Sequence, residues 1–334
     1  MKKGSLVKRA HSILSTLIAI LLATGNFACS QSPQEKSGKN SDAAADVKQN
    51  EDDEKSGTNE KEDVKAAKSR KIGVIQDRAI QECSGIAISR NLKNHFWVHN
   101  DSGDKANVYL LDAKGATVST IELEGVKSRD FEDIVSFAKD KRNYVAVGDV
   151  GDNPRRRKKL SIHIFEEPAK ESIQAQMKIR PVSTIHFHYD DDVSRDCEAL
   201  AYLSTTGQLL VCSKPRGREV IQGKTGTLFS IDFDLTKETQ NCVARKISDI
   251  SGGMITAMDC SPDGKRLVVR NYIYANVWEI ETEDLKTQLT HPKARKMMMP
   301  IMIQSEAICF TVDGKSVVTA SEGKKSPLME VPVE

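Results

Sequence analysis

Residues 129–153, RDFEDIVSFAKDKRNYVAVGDVGDN, contain two short apolar runs, IVSF and YVAV, separated by the charged turn AKDKRN. Short apolar runs on both sides of a polar turn predict a β-hairpin. Acidic residues stand at both open ends of this hairpin: Asp130, Glu132 and Asp133 before the first run, and Asp149 and Asp152 after the second. Because the two strands of a hairpin are antiparallel, we expect these carboxylates to lie close together in space.

The same hairpin pattern occurs five times in the chain. Its first strand reads ECSGIAIS from Glu82, FEDIVSF from Phe131, DCEALAYL from Asp196, ITAMDCSP from Ile255 and SEAICFT from Ser305. A polar turn, a second strand and a third strand follow each segment, and three of the gaps contain a clear fourth strand. Helical periodicity is scarce, so the sequence predicts an all-β fold. A repeated unit of about 50 residues is typical of a β-propeller.

Five units within residues 72–334 predict a five-bladed β-propeller, and six blades is the alternative if one blade is too degenerate to recognise. The fifth unit reaches the end of the chain without an outer strand, whereas KIGVIQ, Lys71–Gln76, precedes the first unit. We expect this N-terminal strand to complete the fifth blade, because the pairing removes an exposed sheet edge.

Residues 1–28 have the pattern of a signal peptide, with a basic start followed by an apolar stretch over Ile13–Gly25. The sequence NFACS then places Cys29 after a small residue, as in bacterial lipoproteins, although Asn26 stands where such junctions usually have Leu. We therefore expect cleavage before Cys29 and lipidation, including palmitate, of its thiol. An ordinary secretory signal cleaved near Ala28 is the alternative.

Residues 29–71 contain few large apolar side chains and mix acidic residues with lysine, which predicts a disordered linker. The expected protein is exported and held in the cell envelope, with the membrane contacted only through the lipid. A secreted or periplasmic soluble protein is the alternative.

Composition and motifs exclude several classes of function. The chain has 49 Lys and Arg against 47 Asp and Glu, so no overall positive charge indicates binding to nucleic acid. It lacks the C-x-x-C, H-E-x-x-H, G-x-x-x-x-G-K-[ST] and G-x-S-x-G motifs. Most cysteines after Cys29 lie in apolar strands and are expected to be buried thiols. Cys197 and Cys212 are the one pair expected to face each other in a hairpin.

Polar residues at the hairpin ends predict one shared site, because the first strand of each propeller blade lines the central channel. The expected ligand-binding residues are Glu82, His99, Asp101, Glu132, Asp149, Asp152, Lys214, Arg270, Tyr272 and Glu322. The expected metal ligands are Asp133, Glu198 and Glu306. Clustered carboxylates favour a hard cation, Ca²⁺ before Mg²⁺. A salt-bridge network that only joins the blades is the alternative.

Three basic segments are expected around this opening: NPRRRKK at Asn153–Lys159, KPRGR at Lys214–Arg218 and HPKARK at His291–Lys296. A basic rim around a cation suits a ligand that carries phosphate or carboxylate groups. The expected partner is therefore an anionic small molecule or an anionic polymer of the cell envelope.

Seven short motifs occur in an order that resembles a family of exported bacterial β-propellers. They are Glu82–Gly85, His99–Gly103, Asp130–Asp133, Gly148–Asn153, Asp196–Leu200, Ser261–Gly264 with Arg270–Tyr272, and Glu306–Gly323. Phe131 stands where the family more often has Trp. The resemblance implies a propeller fold, and the grouping of relatives with phytase-like and esterase-like propellers implies a possible hydrolase. The sequence thus predicts a Ca²⁺-associated binding protein, with a Ca²⁺-dependent phosphohydrolase or esterase as the alternative.

Overall fold

The computed structural model describes residues 68–333, except for residues 102, 251, 282–283 and 291–293. The predicted signal peptide, Cys29 and all but the last residues of the predicted linker lie outside the described residues. The expectations of export, lipidation and disorder therefore stay predictions.

The described strands form five units. Unit 1 contains β2 (Cys83–Ile88), β3 (Phe96–Asn100), β4 (Asn107–Leu111) and β5 (Thr117–Leu123). Unit 2 contains β6 (Phe131–Lys139), β7 (Arg142–Asp149), β8 (Leu160–Glu166) and β10 (Ser183–Tyr189). Unit 3 contains β11 (Cys197–Leu203), β12 (Gln208–Ser213), β13 (Gly226–Ile231) and β14 (Thr239–Ile250). Unit 4 contains β15 (Ile255–Cys260), β16 (Arg266–Asn271), β17 (Tyr274–Glu279) and β18 (Arg295–Met298). Unit 5 contains β19 (Ala307–Phe310), β20 (Ser316–Ala320), β21 (Pro327–Pro332) and β1 (Arg70–Val74).

The remaining elements are short. They are β9 (Gln176–Ile179), α1 (Gly217–Ile221), α2 (Leu285–Thr290) and a 3₁₀ turn at Lys170–Ser172. The strand β9 pairs in parallel with the edge strand β5, and β10 pairs in parallel with β14, which joins units 2 and 3 into one eight-stranded sheet. The all-β prediction is confirmed.

Each unit is an antiparallel meander in which successive strands pair from first to fourth. In unit 5 the fourth strand comes from the other end of the described chain, since β1 pairs antiparallel with β21, Arg70 opposite Glu330 and Val74 opposite Pro327. This is the pairing that the sequence predicted for the N-terminal strand. Its physical reason is the burial of Ile75, which is 1% exposed and packs between units 5 and 1.

The first strands of neighbouring units contact each other around a closed circle: β2 with β6, β6 with β11, β11 with β15, β15 with β19, and β19 with β2. Five apolar clusters fill the five spaces between neighbouring units. Sheets that pack radially through apolar faces, with first strands innermost, have the arrangement of a β-propeller. The end of the sheets at which the first strands begin is here named the acidic end, for Glu132, Glu198, Glu306 and Glu322. The opposite end is the far end.

The six described cysteines are free thiols, and all but Cys242 are buried. Cys212 pairs across the hairpin with Ala199 rather than with Cys197, because the register of β11 slips by one residue after Cys197. The expected facing pair of cysteines is therefore absent from this hairpin. Among the described residues, none of the helices has the length and apolar character that crossing a membrane requires.

Candidate functional site

One buried polar residue near the start of each first strand points the same way in all five units. The strand register slips at Ser84 in unit 1, Glu132 in unit 2, Glu198 in unit 3 and Thr256 in unit 4. In unit 5, Glu306 stands at the corresponding place, directly before the Ala307–Ala320 pair. A β-bulge of this kind re-aims one side chain out of the regular alternation of a strand. Three glutamates are thereby brought to one end of the circle of first strands.

A second set of polar residues follows the second strands. Their backbone N–H groups fix the register: Asp101 donates to the Glu82 carbonyl at 2.8 Å, Lys214 to Asp196 at 2.9 Å and Glu322 to Gln304 at 3.0 Å. In unit 2 the corresponding donor is Gly151, which binds the Asp130 carbonyl at 3.2 Å.

The same hydrogen bonds correct the position expected for Glu82. Counting residues from the first strand to the end of the second predicted that Glu82 is equivalent to Glu132 and Glu198. In the structure, Glu82 is instead equivalent to Asp130 and Asp196. The residue equivalent to Glu132 in unit 1 is Ser84, whose hydroxyl donates to the Glu132 carbonyl at 2.7 Å. Glu82 is exposed at the rim of the acidic end.

Lys214 supplies a cationic group inside the cluster. Its ammonium lies 2.9 Å from a carboxylate oxygen of Glu198 and donates to the Tyr272 hydroxyl at 3.1 Å. The Tyr272 hydroxyl in turn donates to Glu306 Oε1 at 2.9 Å. This chain of hydrogen bonds connects units 3, 4 and 5, and it brings four of the predicted site residues together.

Burial and mutual repulsion shift the titration of this cluster. The pKa of Glu132 is raised well above its ordinary value by burial, and then by the charges of Glu198, Asp101 and Asp130. Burial also raises the pKa of Glu198 to about 8, although the Lys214 ammonium acts against the rise. Burial and the neighbouring Glu306 raise the pKa of Glu322 to about 9. The carboxylates therefore need a proton or a cation to share this space.

Two sets of three carboxylates are close enough to hold one cation. Asp101, Asp130 and Glu132 form the first set, and Glu132, Asp196 and Glu198 form the second, with one oxygen of each residue within 4.8 Å of the others. In the second set Glu198 is paired with Lys214, and Asp196 Oδ1 accepts the Asp152 N–H at 2.9 Å. A cation held by the second set would therefore have to share Glu198 with the Lys214 ammonium.

Gly151 makes room for the first set. A methyl group on its Cα would collide with Glu132 Oε1 and with Asp130 Oδ2. The two oxygens therefore converge on the backbone of the loop after β7, in a space that any side chain at this position would fill. Oxygen donors that converge in this way fit Ca²⁺, which takes carboxylate and backbone oxygens. In unit 4 the buried Thr256 hydroxyl, at the place that Glu132 has in unit 2, has no hydrogen-bond partner within the described part of the chain.

Asp149 and Asp152, predicted as ligand-binding residues, instead fix the loop that follows β7. Asp149 pairs with Arg157 at 2.8 Å. The two oxygens of Asp152 accept the N–H groups of Arg156 at 2.9 Å and Arg157 at 2.7 Å. These contacts give the basic loop a defined backbone beside the acidic cluster.

His99 and Arg270, predicted as cationic partners of the acids, are fully buried and hydrogen-bond to backbone. His99 Nδ1 lies 2.9 Å from the Asn100 carbonyl, and Arg270 Nε donates to the Asn271 carbonyl at 3.1 Å. Burial lowers the pKa of His99 to about 4 and that of Arg270 to about 10. Neither forms an ion pair with an acid among the described residues, and Gly85 provides the space for the His99 ring.

Asp133, predicted as a metal ligand, uses its carboxylate on backbone N–H groups. Its Oδ1 accepts from Ile134 at 2.9 Å, and its Oδ2 accepts from Leu200 at 2.8 Å and from Met258 at 3.4 Å. It belongs to neither of the two sets of three carboxylates. Asp133 therefore joins the first strands of units 2, 3 and 4 through their backbone N–H groups.

The predicted basic rim is present in part. Arg156, Lys158 and Lys159 are exposed beside the acidic cluster, whereas Arg155 is bound to Glu219 at 2.6 Å. Arg216 donates to the Asn153 carbonyl at 2.8 Å, so the first two basic segments lie together. In the third segment, residues 291–293 lie outside the described residues, and Arg295 binds the Val333 carbonyl instead of facing the opening.

The predicted ligand list left out three members of the cluster, Asp130, Asp196 and Gly151, although Asp130 was expected near the other acids of its hairpin. Asp130 and Asp196 precede the glutamates by two residues in the patterns DFED and DCEA, and this shared spacing is the signal that could have found them. Gly151 could not be found in this way, because its role depends on how the loop approaches Glu132.

Comparison with known proteins assigns neither a family nor an activity. No family model matches the chain, and no curated protein matches it. Among solved structures, a hydrazine synthase of Kuenenia stuttgartiensis matches with 13% identity over 72% of this chain and 68% of its own, with a TM-score of 0.39. A gluconolactonase of Xanthomonas campestris matches with 11% identity over 80% of this chain and 89% of its own, with a TM-score of 0.42. Likeness at this level supports no assignment of activity.

Proposed function

We propose that this protein is a five-bladed β-propeller that binds Ca²⁺ at its acidic end and, through the ion, an anionic ligand. Support for five blades rather than six comes from the closed circle of first strands, in which β19 contacts β2. The observation that carries the function is the grouping of Asp101, Asp130 and Glu132, with oxygens of the last two converging on Gly151. The ligand proposed is an anionic small molecule or envelope polymer, with the exposed basic loop after β7 as its second contact.

The cation proposal is tested by calorimetric titration of the purified full chain with CaCl₂ after chelation. We expect Ca²⁺ to bind at one site. Glu132→Gln should weaken the binding at least tenfold, because it removes the charge of the carboxylate that belongs to both sets of three. Glu82→Gln is the matched control, since Glu82 is an exposed acid of the same end outside both sets of three. Absence of Ca²⁺ binding, or equal losses in the two variants, would overturn the proposal.

A hydrolase is the second candidate, and the buried Glu198 beside the first set of carboxylates favours it. A cation on the first set of carboxylates would polarise a phosphoryl or acyl oxygen and lower the pKa of a bound water. Beside it, burial raises the pKa of Glu198 to about 8, so this carboxyl group could exchange a proton with a substrate near neutral pH.

Hydrolysis is tested with a panel of phosphomonoesters and carboxylic esters, with and without Ca²⁺. Turnover that requires Ca²⁺ and falls at least a hundredfold in Glu198→Gln would support the enzyme. Ca²⁺ binding without turnover of any substrate would rule out the hydrolase, and only the binding function would be supported.

We also propose that the protein is exported and attached to the cell envelope by lipid on Cys29. The support is the sequence pattern of residues 1–30. Metabolic labelling with a fatty-acid analogue should mark the wild-type protein and not Cys29→Ala. Label in both proteins, or in neither, would contradict the anchor.

A further inference from the structure

Exposed large apolar side chains are concentrated at the acidic end. Six such residues lie on loops or strand ends there: Val193, Ile221, Ile273, Met298, Ile301 and Ile303. Ile301 is 101% exposed and Ile303 81% exposed. Val312, in the turn between β19 and β20, is the one large apolar residue of the described chain that is exposed at the far end. This asymmetry is larger than the scattered exposure that is normal for a protein surface.

The loop that carries Ile301 and Ile303 is held at both ends beside the acidic cluster. Before it, Met299 donates to the Ile273 carbonyl at 3.2 Å, and after it the Gln304 carbonyl accepts the Glu322 N–H at 3.0 Å. The two isoleucines stand between these fixed points. No other part of the described chain covers their side chains.

Basic side chains also lie on loops of the acidic end. Arg156, Lys158 and Lys159 follow β7, and Lys324 and Lys325 follow β20. All five are exposed, and none forms an ion pair with an acid within the described residues. Single apolar side chains set among Lys and Arg are typical of proteins that bind the interface of an anionic bilayer.

We propose that the acidic end docks onto an anionic lipid bilayer, with Ile301 and Ile303 entering the headgroup region and the basic loops facing the lipid phosphates. A bilayer fits better than a second copy of the chain, because the apolar residues stand singly on loops of units 2, 3 and 4 rather than in one flat patch. The docking is a membrane contact beyond the lipid anchor that the sequence predicts. It also goes beyond the proposed function and does not depend on the cation.

The test uses the full chain with Cys29→Ser, so that no lipid is attached, and sedimentation with vesicles of phosphatidylcholine with 30% phosphatidylglycerol, a composition chosen for roughly physiological negative charge. We expect binding in EDTA that falls steeply as salt rises. The double substitution Ile301→Ser and Ile303→Ser should weaken vesicle binding at least tenfold. Val312→Ser is the matched control and should change it less than twofold. Thermal unfolding of all variants should be the same, since the three side chains are exposed.

Several results would overturn the docking proposal. They are no sedimentation with these vesicles, equal binding to vesicles of phosphatidylcholine alone, and an equal effect of the two apolar variants. A wild-type dimer in analytical ultracentrifugation that the double substitution converts to monomer would assign the apolar loops to contact between two copies. Failure of Ca²⁺ binding leaves the docking result unchanged, so the two proposals fail separately.

Discussion

Glu167, at the end of β8, is a buried acid that joins units 1 and 2 at the far end. Its Oε1 accepts the Ser89 hydroxyl at 2.5 Å and the Trp97 indole N–H at 2.8 Å. Its Oε2 accepts the backbone N–H groups of Arg90 at 3.0 Å and Asn91 at 3.2 Å. Trp97 is fully buried and Glu167 is 3% exposed, so water cannot replace the carboxylate at the indole.

We expect Glu167→Ala to lower the free energy of unfolding by about 3–6 kcal/mol. A hydrogen bond to a charged group contributes about 1.5–3 kcal/mol, and two such bonds, from Ser89 and Trp97, have fully buried donors. The two backbone donors lie nearer the surface and can bind water. Glu167→Gln keeps an acceptor for Trp97 and places an amide N–H toward one backbone donor, so it should lose less, about 1–2 kcal/mol.

Glu166 is the matched control, because it is the preceding residue, of the same type, and on the surface. It pairs with Arg142 at 3.2 Å, and the two side chains are 46% and 64% exposed. An exposed pair of this kind contributes roughly 0–1 kcal/mol. Glu166→Ala should therefore change the free energy of unfolding by about 0.5 kcal/mol or less.

Denaturant unfolding followed by tryptophan fluorescence measures these differences. The chain has two tryptophans, and Trp278→Phe leaves Trp97 as the single reporter; the Trp278 indole N–H has no partner among the described residues. Glu167→Ala should also shift the emission of Trp97 in the folded state. If Glu167→Ala is no less stable than Glu166→Ala, the assignment of Glu167 as the junction between units 1 and 2 is wrong.

Three further predictions concern pH, the cation site and ring closure. Burial, and then the charges of His186 and Arg157, lower the pKa of His163 to about 4. His163 therefore binds a proton more weakly in the folded protein than in the unfolded chain. The free energy of unfolding should fall by up to about 3 kcal/mol as the pH decreases from about 6.5 to about 4. His163→Gln should flatten this slope in urea titrations at several pH values, and exposed His188→Gln should not. Gly151→Ala should weaken Ca²⁺ binding at least tenfold in calorimetry while the melting temperature stays within a few degrees, and unchanged affinity would contradict the convergence of the carboxylates on this loop. Ile75→Ala should destabilise by about 2–5 kcal/mol, because it leaves a cavity beside the closing strand, whereas exposed Ile221→Ala should have no measurable effect.

The strand pattern was predictable because each unit repeats the same alternation of apolar runs and polar turns. The pairing of β1 with β21 was predictable from the missing outer strand of unit 5, and the structure adds that Ile75 is buried and Ile72 partly buried beside it. Strand addition by β9 at the edge of unit 1 was not predictable, because QMKI lies in a long connection and has no repeat to align with. Local sequence patterns therefore predict the number and order of the strands. They do not predict pairings such as that of β9 with β5, because those depend on how distant segments meet.

The candidate site was predictable in its location and only partly in its members. Glu198, Lys214, Tyr272 and Glu306 were expected together and are connected by hydrogen bonds. Glu82 was misplaced because the hairpin turns differ in length, from the Ile88–Phe96 pair to the Lys139–Arg142 pair, so equal residue counts between strands do not give equal register. Asp133 differs from Glu132 by one position, and that single step turns its carboxylate from the acidic end to the backbone of neighbouring units.

The direction of β1 sets a minimum length for a linker that connects a membrane anchor to the propeller. Val74 lies at the acidic end and Arg70 toward the far end. The chain therefore enters β1 from the far end, opposite the acidic end that we propose to dock onto the bilayer. A strand of up to nine residues spans about 30 Å at roughly 3.4 Å per residue. A lipid on Cys29 therefore permits docking only if the connecting chain can pass around the domain. Shortening it to fewer than about ten residues, even when fully extended, should hold the apolar loops away from the bilayer that carries the anchor.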